Sequence, residues 1–219
     1  MNQYRAGRVI AIDGPAASGK STVSRGVANA LGFRFVSSGH LYRALAWGAL
    51  RDKIGDPSNE DSVNTWVTRR VLEIRYDGKG ATLFLDAEDV TPRLSDPEVA
   101  GIVSRLSAIP SIRDLVNGKL RDLALTHDLV MEGRDIGSVV FPETPYKFYL
   151  DASSAERIRR RALEGVVDSI DERDRLDSAR AAAPLIISEG ATVIDTTHLD
   201  ADQVVQEVLA HLEDIGGIS

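Results

Sequence analysis

The nine residues GPAASGKST, 14–22, constrain this chain more than any other stretch. They satisfy G-x-x-x-x-G-K-[ST], a pattern that average residue frequencies produce in a chain of this length at roughly the 1% level. It carries meaning only between a strand and a helix, and both are predicted. RVIAID (8–13) is a short, β-branched apolar run that ends at glycine, which reads as a buried parallel strand. KSTVSRGVANALG (20–32) sets Val23, Val27 and Leu31 at helical spacing, with Gly32 as the stop. Between them, Gly14 and Gly19 let the backbone curl so that successive N–H groups converge on phosphate oxygens. The start of the helix adds its partial positive charge. Pro15, Ala16, Ala17, Ser18 and Thr22 complete the loop; Lys20 is placed to reach β- and γ-phosphates, and the Ser21 hydroxyl to ligate Mg²⁺. A nucleoside triphosphate site, with Mg²⁺ as cofactor, is the expectation.

Further along, FRFVSS (33–38) reads as a second strand and GHLYRALAWGALRDKIG (39–55) as a second helix, giving the β-α-β-α opening of a doubly wound sheet. The middle breaks this rhythm. VLEIRYDGKGATLFLDAEDV (71–90) is two alternating segments around DGKG, a hairpin signature, and helical segments are predicted at 97–110 and 112–125. An antiparallel piece inside a parallel chain implies an inserted subdomain. DLVMEG (128–133), YKFYLD (146–151) and ATVIDT (191–196) resume the parallel pattern, and a last helix capped by Asp200 buries Val204, Val205, Val208 and Leu212.

The 219 residues suit one domain, and 43% hydrophobic with 27% charged residues is ordinary for a globular protein. A formal charge of −7 argues against general adhesion to nucleic acid. The sequence has no cysteine, which removes disulfides and thiolate chemistry and fits a reducing cytosol. No signal-peptide core and no apolar stretch approaching about 18 residues is present, so a soluble cytoplasmic protein without membrane partners is expected. Among phosphate-loop proteins, a GTPase needs [NT]-K-x-D, which does not occur, and its D-x-x-G string falls only at Asp77–Gly80, inside the hairpin. A motor-type or DNA-acting ATPase calls for a longer chain with a basic surface. A kinase with a phosphorylated acceptor predicts arginines well downstream, because two anionic phosphates must be held in line. They are present: Arg43 in SSGHLYR and Arg134 in EGRDIG, just past a strand's carboxyl end. Arg157, Arg160 and Arg161 share a face at i, i+3, i+4, as do Arg173, Asp177 and Arg180 at i, i+4, i+7. Taken singly each reads as a surface ion pair; together, behind a phosphate loop, they point at anionic substrates.

Through SSGHLYR, EGRDIGSVVFP and RDRLDSAR the chain resembles the bacterial cytidylate kinases, from about Arg8 to Leu209. The resemblance implies an α/β fold: a P-loop NTPase-type parallel five-stranded sheet flanked by helices. It also implies an inserted NMP-binding subdomain with a short antiparallel sheet, and a short lid. It divides one kinase domain into a core (1–56 and 126–219), an insertion at approximately 57–125 and a lid at approximately 157–180. The implied reaction moves the γ-phosphoryl group of ATP to CMP or dCMP; a monomer is the default expectation, which the resemblance does not supply. Ser38 and Arg43 then bind CMP, Arg43 at its phosphate, while Ser104, Arg113 and Asp135 contact cytosine. Arg134 holds the acceptor phosphate, Arg173 and Arg180 bind phosphates and Asp177 the sugar hydroxyls. Arg157, Arg160 and Arg161 lead into the lid, where one or more meet ATP phosphates. Lys20, Arg134, Arg173 and Arg180 are the expected transition-state stabilisers. A carboxylate for the cytosine amino group and a guanidinium for N3 and O2 would reject uracil. Three departures stand out: Ser37 where the family usually has Asp, Ser95 where an arginine is frequent, and a short connection between RRR (159–161) and DERD (171–174). A UMP- or shikimate-type kinase, or a weakly catalytic nucleotide sensor, is the alternative.

Overall fold

The computed structural model describes residues 7–54, 59–77, 80–163 and 185–216. Residues up to Val36 and from Ala124 onward form one unit, and Ser37–Leu123 a second.

In the first unit the apolar runs become parallel strands because they are buried on both faces. β1 (Val9–Asp13) and β6 (Leu129–Gly133) are buried at every residue. With β2 (Arg34–Ser37), β7 (Lys147–Asp151) and β8 (Thr192–Asp195) they make a five-stranded sheet ordered β2-β6-β1-β7-β8. β1 lies at its centre, with Val9 opposite Leu129, Asp13 opposite Gly133 and, on the other side, Asp13 opposite Tyr149. The chain leaves β1 for β2 beyond β6, so the strand order reverses beside β1, the place where open α/β sheets form ligand crevices. α1 (Lys20–Leu31) ends as expected at Gly32, whose φ of 67° directs its N–H back to Ala28 and Asn29 carbonyls. α7 (Ala201–Asp214) begins with a capping box between Asp200 and Gln203 and buries the predicted stripe. Val23 and Val27 of α1 join Val204, Val208 and Leu212 of α7 over Ile10, Ile12, Phe148 and Leu150 of the sheet. Gly26 permits this crossing, since a Cβ there would lie 2.6 Å from Val205 Cγ2.

The second unit holds the antiparallel sheet. β3 (Leu72–Tyr76) pairs with β4 (Ala81–Leu85) around the predicted turn, and β4 also takes a third, two-residue strand, β5 (Glu88–Asp89). The hairpin expectation is thus extended by one strand, too short to give an alternating pattern. α2 (Ser38–Arg51), α4 (Pro97–Leu106) and α5 (Pro110–Ala124) fall where helices were predicted. α3 (Glu60–Val67) was not anticipated; Asn59 caps it, accepting from Ser62 N–H at 3.1 Å, and it buries Val63, Trp66 and Val67. Gly48 of α2 lies where a Cβ would be 3.1 Å from Trp66 and in collision with Leu85. Arg51 and Arg70 bind the carboxylates of Asp52 and Asp86 at 2.7–3.1 Å, and Trp66 Nε1 donates to Asp52 at 2.8 Å. Hydrogen bonding from Arg51, reinforced by Trp66, holds the Asp52 carboxyl down at about 2.

Candidate active site

The phosphate loop leaves the carboxyl end of β1 through Gly14, whose φ of 149° and contact with the Leu150 carbonyl leave no room for a Cβ. Ala17 (φ 58°) and Gly19 (φ 89°) carry the remaining left-handed turns, and α1 starts at Lys20. Among the described residues no side-chain hydrogen bond caps α1 at Gly19, so no capping side chain competes for the N-terminal end of the helix. Lys20 is buried, with Nζ on the Pro15 carbonyl and 3.3 Å from Ser18 Oγ. These contacts set the ammonium against the loop's own backbone. Ser21 Oγ donates to Glu132 Oε1 at 3.0 Å. This pair of hard oxygens, a hydroxyl backed by a buried carboxylate, suits the chemistry of Mg²⁺.

Two arginines of α6 (Ser154–Leu163) brace the loop from behind. Arg157 is buried and donates to the carbonyls of Ala152 (3.1 Å) and Ala16 (3.3 Å). Arg160 donates to Thr196 Oγ1 (3.0 Å) and to the Thr196 carbonyl (2.6 Å), and Thr196 Oγ1 in turn donates to Ser18 O at 3.1 Å. Arg160 Nη1 lies 3.6 Å from where a Cβ of Gly19 would sit. Glu156, bonded by Arg159 and Arg160 at 2.7–2.8 Å, has its carboxyl held down at about 2. Arg161, on the same helix, is half-buried. Thr196 was not foreseen as a site residue; only its place just after an apolar strand hinted at it.

Carboxylates end three of the five parallel strands, Asp13 on β1, Asp151 on β7 and Asp195 on β8, and Glu132 is the penultimate residue of β6. Asp13 is 3% exposed and accepts from Ile136 N–H (2.9 Å) and Gly137 N–H (2.7 Å). Burial pushes its carboxyl up to about 6, outweighing those two hydrogen bonds, which act in the opposite direction. Arg134 and buried Asp135 follow β6 directly, and Asp135 opens a wide helical turn, Ile136–Val140. Sequence reasoning placed Arg134 and Asp135 here but passed over Asp13 and Glu132, although an acid closing a buried apolar run is itself a signal.

In the second unit, Ser38 opens α2 and is buried, and Ser37 caps the helix, accepting from His40 N–H at 3.4 Å. Arg43 donates to the Leu94 carbonyl at 3.0 Å. Ser104 lies on α4, its carbonyl receiving Ser107 Oγ at 3.1 Å. Arg113 is buried near the start of α5, donates to Ser107 O at 3.2 Å and lies 5.7 Å over the Tyr42 ring. The structure thus brings Tyr42, Ser107 and Arg113 together within this unit. Arg93, next to the departure at Ser95, pairs loosely with Asp96 at 3.8 Å. Arg173, Asp177 and Arg180 lie outside the described residues.

A family model for cytidylate kinase matches residues 10–214. A cytidylate kinase of Caldanaerobacter subterraneus subsp. tengcongensis is 42% identical over 210 residues, covering 91% of this chain and 92% of its own. One from Oceanobacillus iheyensis is 40% identical over 211 residues, 91% of each chain, and one from Mycobacterium avium 38% over 219, 94% of each. Among solved structures, a shikimate kinase from Acinetobacter baumannii in complex with shikimate aligns with a TM-score of 0.46 at 16% identity, covering 96% of each chain.

Proposed function

The chain belongs to the cytidylate kinase family and is an ATP-dependent nucleoside monophosphate kinase acting on CMP or dCMP; we propose that it works by positioning and charge neutralisation. The observation that carries this mechanism is the loop itself: Lys20 buried against the Pro15 carbonyl, at an uncapped helix start, on a curl that only Gly14 and Gly19 allow.

The acceptor oxygen of CMP is already anionic, so no general base is required. Lys20 and the loop N–H groups neutralise charge developing on the transferred group. Arg157 and Arg160 serve ATP through the loop they hold, and Arg161 completes the set assigned to its phosphates. Mg²⁺ fits at Ser21, with Glu132 orienting the hydroxyl; when bound it supplies neutralisation of β- and γ-phosphate charge. Ser38 and Arg43 bind CMP, Arg43 and Arg134 at its phosphate, and Ser104, Arg113 and Asp135 at cytosine. Arg173 and Arg180 act on phosphates and Asp177 on the sugar. The insertion, approximately 57–125, is the acceptor-binding part, and the lid is short. A monomer in the cytoplasm is the working state, in keeping with a chain without cysteine.

ADP release measured across CMP, dCMP, UMP, AMP and shikimate tests the assignment. Turnover should be greatest with CMP or dCMP, and a clear preference for any other acceptor would overturn it. Lys20→Ala and Arg180→Ala should each lower turnover by well over about tenfold with the fold intact; near-normal turnover in Arg180→Ala removes its phosphate role.

A further inference from the structure

We infer that Asp13 is a positioning residue for base selection, fixing the turn that carries Arg134 and Asp135. Its two carboxylate oxygens each take a different backbone amide, Oδ1 that of Ile136 and Oδ2 that of Gly137, at 2.9 and 2.7 Å. These are the two residues immediately after Asp135. On the other side, Gly133 is the register partner of Asp13 in the β1–β6 ladder. The short run Gly133–Gly137 is therefore held to Asp13 at both ends, with Arg134 and Asp135 between the two attachments. Asp135 itself has φ −150° and ψ 24°, and its carbonyl accepts from Val139 and Val140 N–H at 2.9 and 3.2 Å. The turn thus has one backbone path, and a single side chain defines where it starts.

The placement of that side chain is informative. Ile10, Ala11 and Ile12, its predecessors on β1, have no exposed surface. An apolar residue would continue such a strand at no solvation cost, whereas a carboxylate there is desolvated strongly enough to titrate near 6. What it gains over any apolar residue is two directional acceptors, both spent on the turn. The titratable groups around it are Asp135 on that turn, Lys20 on α1 and Tyr149, its register partner on β7. The inference rests on the proposed contact of Asp135 with cytosine, and the experiment separates the two.

kcat/KM is measured with CMP and with UMP, alongside KM for ATP, in the native protein, Asp135→Asn and Asp13→Asn. An asparagine at 135 can donate its amide to uracil O4, so the CMP-over-UMP ratio should fall on the order of tenfold. Asp13→Asn turns an N–H against one of the two backbone amides and loosens the turn; the same ratio should fall about fivefold. KM for ATP should stay within about twofold in both. A purely structural role for Asp13 would lower activity with both acceptors alike and leave the ratio unmoved. If Asp135→Asn lowers the ratio and Asp13→Asn does not, the positioning role is overturned and the base contact stands. If neither moves it, both fall. Should Asp13→Asn not fold, Asp13→Ser keeps one acceptor without adding an amide donor, carries the same expectation and is overturned by the same result.

Discussion

At Gly14 the backbone adopts a φ of 149° with the Leu150 carbonyl directly against the missing side chain, so no rotamer change can relieve an added methyl. Gly14→Ala should therefore destabilise the protein by at least about 2 kcal/mol in chemical denaturation and weaken ATP binding in whatever remains folded. Asp13, one residue earlier, makes a different prediction. Its carboxyl titrates at about 6 in the folded chain instead of 3.8, a displacement equivalent to roughly 3 kcal/mol. Between those values the folded state binds more protons than the unfolded one. This group's contribution to stability is thus complete below about pH 4 and is lost as the pH rises through about 6. Unfolding free energies measured from pH 4 to 7 should fall more steeply in the native protein than in Asp13→Asn; parallel curves would refute the assignment. These residues were only half legible in sequence. Gly14 was found because its role is local, while that of Asp13 depends on Gly133 and Ile136, which come beside it only through the β1–β6 register.

Among the elements, β1, α1, β6, β7 and α7 were readable because each carries its own boundary signal, such as Gly32 at a φ of 67° or the Asp200 cap. α3 and β5 were not, being eight and two residues long, below the span over which periodicity declares itself. Arg157, Arg160 and Arg161 were recognised as one helical face, yet sequence could not tell which carbonyls that face would meet. The structure gives two of them to the phosphate loop, directly at Ala16 and through Thr196 at Ser18. Thr196→Val removes the hydroxyl that links Arg160 to the loop. It should raise KM for ATP about threefold while leaving KM for CMP unchanged, measured by varying each substrate in turn. At α2, Gly48→Ala sets about 1 kcal/mol of helix propensity against overpacking on Leu85 and Trp66. Because the Trp66 ring cannot swing away from a packed helix, the net expectation is destabilisation by about 1 kcal/mol, seen as a lowered denaturation midpoint.

Taken as a whole, the molecule carries its phosphate loop on the unit built on the parallel sheet, while Ser38, Arg43, Ser104 and Arg113 belong to the helices of Ser37–Leu123. The sequence between Arg161 and Asp171 is short, and a small lid should exclude water less completely than a long one. ATP hydrolysis without any acceptor should accordingly be measurable, and undetectable hydrolysis would count against that expectation. The contact of Gly14 with Leu150 also bears on how the protein is made. β1 leaves the ribosome before its neighbours β6 and β7, which follow only after all of Ser37–Leu123 has been synthesised. The loop cannot settle against Leu150, nor Ser18 against Thr196, until those residues have emerged. The packing of the phosphate loop is therefore completed only after Thr196 has been made.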